Sequence, residues 1–132
     1  MSNFVHRKPT VVVADDHRAT VSIVVKLVSR DFDILASVSN GIDALQAVEE
    51  LQPDLVLLDV GMPGIDGFET ARRIRQQKFP TRIVFLTIVE DSDYAKTASE
   101  LGACYVVKRR IYSDLLPAAA DALAGRLFLS PV

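Results

Sequence analysis

Short apolar runs recur along the chain, separated by stretches in which apolar residues return every three or four positions. TVVVAD (10–15), FDILASV (32–38), DLVLLD (54–59), RIVFLT (82–87) and CYVVK (104–108) are short and rich in β-branched residues. Their apolar character is continuous rather than alternating, as in strands of a sheet covered on both faces. Between them, Val21, Val24, Val25 and Val28 share one helical face, as do Ile42, Leu45, Val48 and Leu51. Phe68, Ala71, Ile74 and Arg75 form a weaker stripe, and Ala95, Ala98 and Leu101 a short one. A last helix is predicted over 113–124, with Ser113 as its N-cap and Gly125 as its stop. The glycines at 41, 61, 64, 67, 102 and 125 all fall at the predicted boundaries, as do Pro53, Pro63 and Pro80.

Strand then helix, five times over, implies a parallel sheet with right-handed crossovers and helices on both faces. Composition agrees with this: 132 residues, 49% hydrophobic and 24% charged, suit one globular domain. No internal repeat or low-complexity tract divides it. A net charge of −2 provides no basic excess for gripping nucleic acid. No apolar stretch approaches the roughly 20 residues that span a bilayer. The amino-terminal MSNFVHRKPT lacks the apolar core of a signal peptide. A single cysteine, Cys104, excludes an internal disulfide, and burial suits it better than reactivity. A cytoplasmic location is expected.

In such folds ligands bind outside the carboxyl ends of the strands, near the point where strand order reverses. The first strand ends in Asp15 and Asp16, the third in Asp59, the fourth in Thr87 and the fifth in Lys108. Each has an ordinary explanation on its own. Asp15 or Asp16 could cap a helix, Asp59 could be a turn residue, Thr87 a strand threonine and Lys108 a solvated surface lysine. Their joint placement at one edge points instead to a site. Three close carboxylates repel one another unless they take up a proton or recruit a cation. Oxygen ligands without paired His or Cys favour Mg²⁺ or Mn²⁺ over zinc. A dication, a lysine and a hydroxyl donor would suit the oxygens of a transferring phosphoryl group, with Asp59 the central candidate nucleophile.

Other chemistries lack their motifs. There is no phosphate-cradling glycine-rich loop after the first strand and no nucleophile elbow. His6 lies in the amino-terminal tail. His17 has no second histidine at ligand spacing and reads as a helix-start residue.

VVVADDH, LVLLDVGMPGIDGFE, IVFLT and GACYVVK, in that order, resemble the receiver domain of two-component response regulators. The resemblance covers residues 9–125 and implies the flavodoxin-like (βα)5 fold, a doubly wound three-layer α/β sandwich around a five-stranded parallel sheet. It implies that Asp59 accepts a phosphoryl group from a phosphohistidine of a sensor histidine kinase. Asp16 and Asp59 would ligate Mg²⁺ (or Mn²⁺) directly, with the backbone carbonyl of Gly61, and Asp15 largely through water. Lys108 would pair with the carboxylate and then with the phosphoryl oxygen. Thr87 would donate its hydroxyl to that group, and Tyr105 would be the aromatic switch that turns inward. The domain would catalyse only its own phosphorylation and dephosphorylation, and the output face would be built from the fourth helix, fifth strand and fifth helix.

The tail SDLLPAAADALAGRLFLSPV resembles the fifth helix and linker of the NarL/FixJ subfamily, whose receivers precede a LuxR-type helix-turn-helix domain. On that basis 1–132 is one receiver domain, 126–132 begins a linker, and transcription is controlled through a DNA-binding domain absent from this chain. A receiver homodimer is a possible partner arrangement; no nucleic-acid or membrane contact by this domain is expected. Three departures stand out. GACY lacks a residue that the family commonly has before the switch aromatic, Ile88 replaces a small residue after Thr87, and Arg109 replaces the usual proline. Ile88 is expected to crowd the phosphoryl pocket, and Arg109 removes the expectation of a cis peptide. Arg109 and Arg110 read as a solvated charge pair. The alternative function is a degenerate receiver that acts as an interaction or dimerisation module without phosphorylation. An aspartyl-phosphate phosphatase would need a D-x-D arrangement directly following a strand and a cap segment, and neither is found here.

Overall fold

The structure is a computed structural model that describes residues 7–132. His6 and the rest of the first six residues lie outside the described residues. The elements follow in the order β1 (Thr10–Ala14), α1 (Arg18–Val28), β2 (Asp33–Val38), α2 (Gly41–Leu51), β3 (Leu55–Asp59), α3 (Gly67–Gln76), β4 (Arg82–Thr87), α4 (Ser92–Glu100), β5 (Cys104–Val107) and α5 (Ile111–Leu123). A single 3₁₀ turn, Lys108–Arg110, joins β5 to α5.

The five strands form one parallel sheet in the order β2-β1-β3-β4-β5. Chain direction through the sheet reverses at β1, so the crevice between β1 and β3 is where a ligand site is expected. Two apolar clusters lie on opposite faces. Val12, Val56, Leu58, Phe85 and Tyr105 pack under α2, α3 and α4. Val11, Val13, Leu57, Val84 and Leu86 pack under α1 and α5. Every residue of β3 and β5 is buried, which is why those runs are continuously apolar. β2 departs from the expected pattern. It alternates exposed and half-buried residues, because it is an edge strand with a neighbour on one side only.

Two helices also differ from expectation. The inner face of α2 is Gly41, Ala44, Ala47 and Val48, whereas Ile42 is 51% and Leu51 43% exposed. Close packing explains this. A Cβ on Gly41 would stand 2.4 Å from Thr70 Oγ1 and 2.6 Å from the Ile65 carbonyl oxygen, so α2 approaches α3 over small residues. α5 begins at Ile111, ahead of Ser113. Ser113 does not cap it; its hydroxyl donates to the Arg110 carbonyl and the Asp114 carboxylate, at 3.2 and 2.9 Å. Gly125, at φ +76°, does end the helix region.

Residues 126–130 turn back along the free edge of β5. Tyr105 N–H donates to the Phe128 carbonyl (2.9 Å) and Ser130 N–H to the Tyr105 carbonyl (2.8 Å). The Ser130 hydroxyl donates to Asp114 Oδ2 at 2.6 Å and accepts from Val107 N–H at 3.2 Å. The buried Cys104 accepts from Phe128 N–H. The segment expected to start a linker thus pairs with an otherwise open strand edge. Among the described residues, no helix is long and apolar enough to cross a membrane, and no peptide bond is cis, as expected at Arg109.

Candidate functional site

Because all five strands run the same way, their carboxyl ends meet on one edge of the sheet. Asp15, Asp16 and His17 follow β1, Asp59 closes β3, Thr87 closes β4, and Lys108 follows β5. The Asp15 and Asp59 side chains are 1% and 4% exposed, and that of Lys108 is 10% exposed. Asp16 stands further out at 33%. Lys108 Nζ lies 2.9 Å from Asp15 Oδ2 and 3.5 Å from Asp59 Oδ2. Asp59 Oδ1 accepts a 3.3 Å bond from Gly61 N–H. It is thus the N–H of Gly61 that is engaged here, directed at the same carboxylate.

The Asp59 backbone is held from behind. A Cβ on Gly67 would come within 2.3 Å of the Asp59 carbonyl oxygen, so the start of α3 presses directly on the end of β3. Asp66 caps α3 by accepting from Glu69 N–H, and Gly67 N–H donates to the Val60 carbonyl. These local contacts fix where the carboxylate is presented.

Electrostatically Asp59 is biased towards its neutral form. Burial and then the neighbouring Asp15 carboxylate push Asp59 above its ordinary value, against the opposing effects of Lys108 and the Gly61 N–H. Asp15 Oδ2 is ion-paired with Lys108 Nζ at 2.9 Å, whereas Asp59 Oδ2 is buried without a hydrogen bond, 3.5 Å from the same ammonium. Buried carboxylate oxygens are almost always paired, so this is a donor set suited to a cation.

One member of the cluster escaped the sequence pattern. His17 does begin α1, in the N-cap position, but its side chain makes no capping bond. Its Nδ1 instead lies 3.1 Å from Asp15, 3.3 Å from Asp16 and 3.5 Å from Asp59. Ligand atoms of all four residues fall within 4.8 Å of one another. Ligand-spacing rules look for two histidines close in sequence, and here the partners are carboxylates, two of them adjacent in sequence and the third, Asp59, from another strand.

Thr87 and Tyr105 are brought together through Val89. Val89 N–H donates to Thr87 Oγ1 (3.0 Å), and its carbonyl accepts from the Tyr105 hydroxyl (2.5 Å). Tyr105 is fully buried, so the ring is turned inward. Ile88, expected to crowd the pocket, is 72% exposed and stands in solvent. Arg109 and Arg110 are separately paired, with Glu90 through two bonds of 2.9 and 2.7 Å and with the buried Asp114 at 2.9 Å. The Arg109–Glu90 pair ties the loop after β4 to the turn after β5.

Residues 11–121 match the model of the response regulator receiver domain family. The chain is 36% identical over 124 residues to the nitrate/nitrite response regulator protein NarL of Escherichia coli, covering 92% of this chain and 57% of that one. It superposes with a TM-score of 0.85 on a two-component response regulator of the LuxR family from Aurantimonas. That match, at 30% identity, covers 94% of this chain and 90% of the other. A DNA-binding response regulator of the LuxR family from Staphylococcus aureus gives 0.80 at 29% identity, over 87% and 98% of the two chains. The chain spans a little over half the length of the first relatives it matches by sequence.

Proposed function

The chain belongs to the response regulator receiver domain family, as a receiver of the NarL/LuxR type, and we propose that Asp59 is its phosphoacceptor, charged by the phosphohistidine of a sensor histidine kinase. A carboxylate oxygen of Asp59 attacks phosphorus, the phosphorus–nitrogen bond to the donor imidazole breaks, and the departing nitrogen keeps the electron pair. The observation that carries this is the buried Asp59 Oδ2, free of hydrogen bonds at the end of the central strand, 3.5 Å from Lys108 Nζ. A carboxylate held above its ordinary basicity is also the better nucleophile.

The protein's own groups then divide the work. Lys108 already faces both Asp15 and Asp59, and its ammonium follows the negative charge from the carboxylate to the phosphoryl oxygens. The Thr87 hydroxyl accepts from Val89 N–H, which leaves its own proton to donate to a phosphoryl oxygen. Asp16 and Asp59, with Asp15 through water and the Gly61 carbonyl, are the proposed Mg²⁺ ligands. When bound, the ion supplies charge neutralisation for carboxylates and phosphoryl group alike. Hydrolysis of the acyl phosphate at the same site returns the domain to its resting form, so its catalysis is confined to itself. Control of a DNA-binding output domain and pairing with a second receiver are the proposed consequences.

The degenerate alternative loses part of its motive, since Ile88 stands in solvent rather than over the carboxylates. The test is incubation with Mg²⁺ and a small phosphodonor, or with beryllofluoride, followed by intact-mass and peptide analysis. One adduct, confined to Asp59 and lost in Asp59→Asn, is expected. An adduct that survives Asp59→Asn, or none at all, refutes the assignment.

A further inference from the structure

We propose that His17 Nδ1 is an additional ligand of the divalent cation, and that it shifts the site's preference from Mg²⁺ towards Mn²⁺ and other borderline ions. The proposal rests on the reading of the acidic cluster as a cation site and deepens it by assigning a nitrogen donor.

Three carboxylates from two strand ends converge on one imidazole nitrogen, at 3.1, 3.3 and 3.5 Å. Neighbouring ligands of a six-coordinate ion, each about 2.1 Å from the metal at right angles, lie roughly 3 Å apart. The Nδ1 contacts therefore have the spacing of ligands that share an ion. The second observation is Asp59 Oδ2 itself, which belongs to a side chain 4% exposed, faces this cluster and accepts no hydrogen bond, with the Lys108 ammonium 3.5 Å away.

The backbone holds the imidazole there. His17 is extended, at φ −94° and ψ 107°, and its N–H donates to Asp15 Oδ1 at 2.8 Å. This turn folds the side chain back over the acids rather than along α1. Hydrogen bonding alone does not satisfy the nitrogen. The carboxylates require Nδ1 to carry a proton, whereas Lys108 Nζ, 3.4 Å away and able only to donate, requires a lone pair. A bound cation resolves the conflict by taking the lone pair and drawing in the carboxylates. Imidazole binds Mn²⁺ and later divalent ions in preference to Mg²⁺, which keeps to oxygen ligands.

Mn²⁺ binding is measured by electron paramagnetic resonance on the whole chain, with pulsed detection of nitrogen coupling, and Mg²⁺ affinity by competition. Wild type is expected to show a directly coordinated nitrogen whose signal changes isotope with ¹⁵N-histidine and disappears in His17→Ala. That variant should bind Mn²⁺ at least about tenfold more weakly while its Mg²⁺ affinity moves less. Mn²⁺ bound without nitrogen coupling overturns the role of His17 and leaves the cation site standing. Failure of wild type to bind either ion overturns the cation site itself. The isotope measurement needs no variant to fold, so the outcome is decided on the native chain.

Discussion

Replacing Asp59 by asparagine is expected to stabilise the ion-free protein. The oxygens of Asp15, Asp16 and Asp59 lie within 4.8 Å of one another. At an effective dielectric near 20, one like-charge pair at that distance repels by about 3.5 kcal/mol. Lys108, 3.5 Å from Asp59, returns about 4.7 kcal/mol on the same scale. The two repulsions exceed this attraction by about 2 kcal/mol. Solvent around the part-exposed Asp16 screens some of the excess, and the burial of Asp59 adds to it. A gain of about 1–2 kcal/mol is therefore expected in chelator, read as a melting temperature higher by roughly 3–8 °C.

The gain should depend on pH and on metal. The folded-state pKa of Asp59 is raised above its ordinary value of 3.8. Its protonation therefore favours the fold fully below that value, and the benefit is lost as pH rises through the folded-state pKa. Wild type and Asp59→Asn should thus converge in acid and separate towards neutrality. Saturating Mg²⁺ should reverse the order, because an ion at a hundred times its dissociation constant adds about 2.7 kcal/mol to a protein that binds it. Urea denaturation across pH, with and without Mg²⁺, measures all three effects. An ion-free variant less stable than wild type at pH 7, or a gap that persists in acid, would refute the electrostatic reasoning.

Gly67→Ala should lower stability by about 2–3 kcal/mol, since the new methyl meets the Asp59 carbonyl oxygen and Val60 Cα, backbone atoms that cannot swing away; the urea midpoint reads this directly. Asp114→Asn should cost about 1–3 kcal/mol at pH 7. Burial alone would raise Asp114, but hydrogen bonds from Arg110, Ser130 and Ser113 hold it below its ordinary 3.8. That contribution is present above 3.8 and lost as pH falls through the folded-state value, so denaturation near pH 3 should show a smaller deficit. Tyr105→Phe removes the bond to the Val89 carbonyl and should cost about 1 kcal/mol, with faster amide exchange in the loop after β4 as its local signature.

The fold was largely legible because its strands are buried on both faces and therefore spell themselves out as unbroken apolar runs. β3 and β4 match their predicted ends to within a residue. The face of α2 was misjudged because a helix that packs closely does so over Gly41, Ala44 and Ala47, which carry little hydrophobic signal, while Ile42 and Leu51 fall on its flanks. Strand ends revealed the carboxylates and Lys108, since a parallel sheet brings them to one edge whatever lies between them. His17 was hidden, because its place in the cluster depends on a side chain turning back towards Asp59, and no one-dimensional spacing records that. The pairing of residues 126–130 was equally silent. It rests on backbone hydrogen bonds and on Ser130 reaching Asp114, sixteen residues away.

These contacts form a continuous physical route out of the site. Val89 binds Thr87 through its N–H and Tyr105 through its carbonyl. Tyr105 in turn holds Phe128 and Ser130 through its backbone, and Ser130 reaches α5 at Asp114. Under the proposed function, a phosphoryl group on Asp59 draws the Thr87 hydroxyl towards it, and Val89 must follow Thr87 or lose its acceptor. Either change alters the carbonyl on which the Tyr105 hydroxyl rests. The Tyr105 ring is fully buried, so under the proposed function a change at that carbonyl would be met by keeping or exchanging its partner. Under that proposal, a charge added at one carboxylate would be converted into a choice between two packings of β5 and the segment laid along its edge.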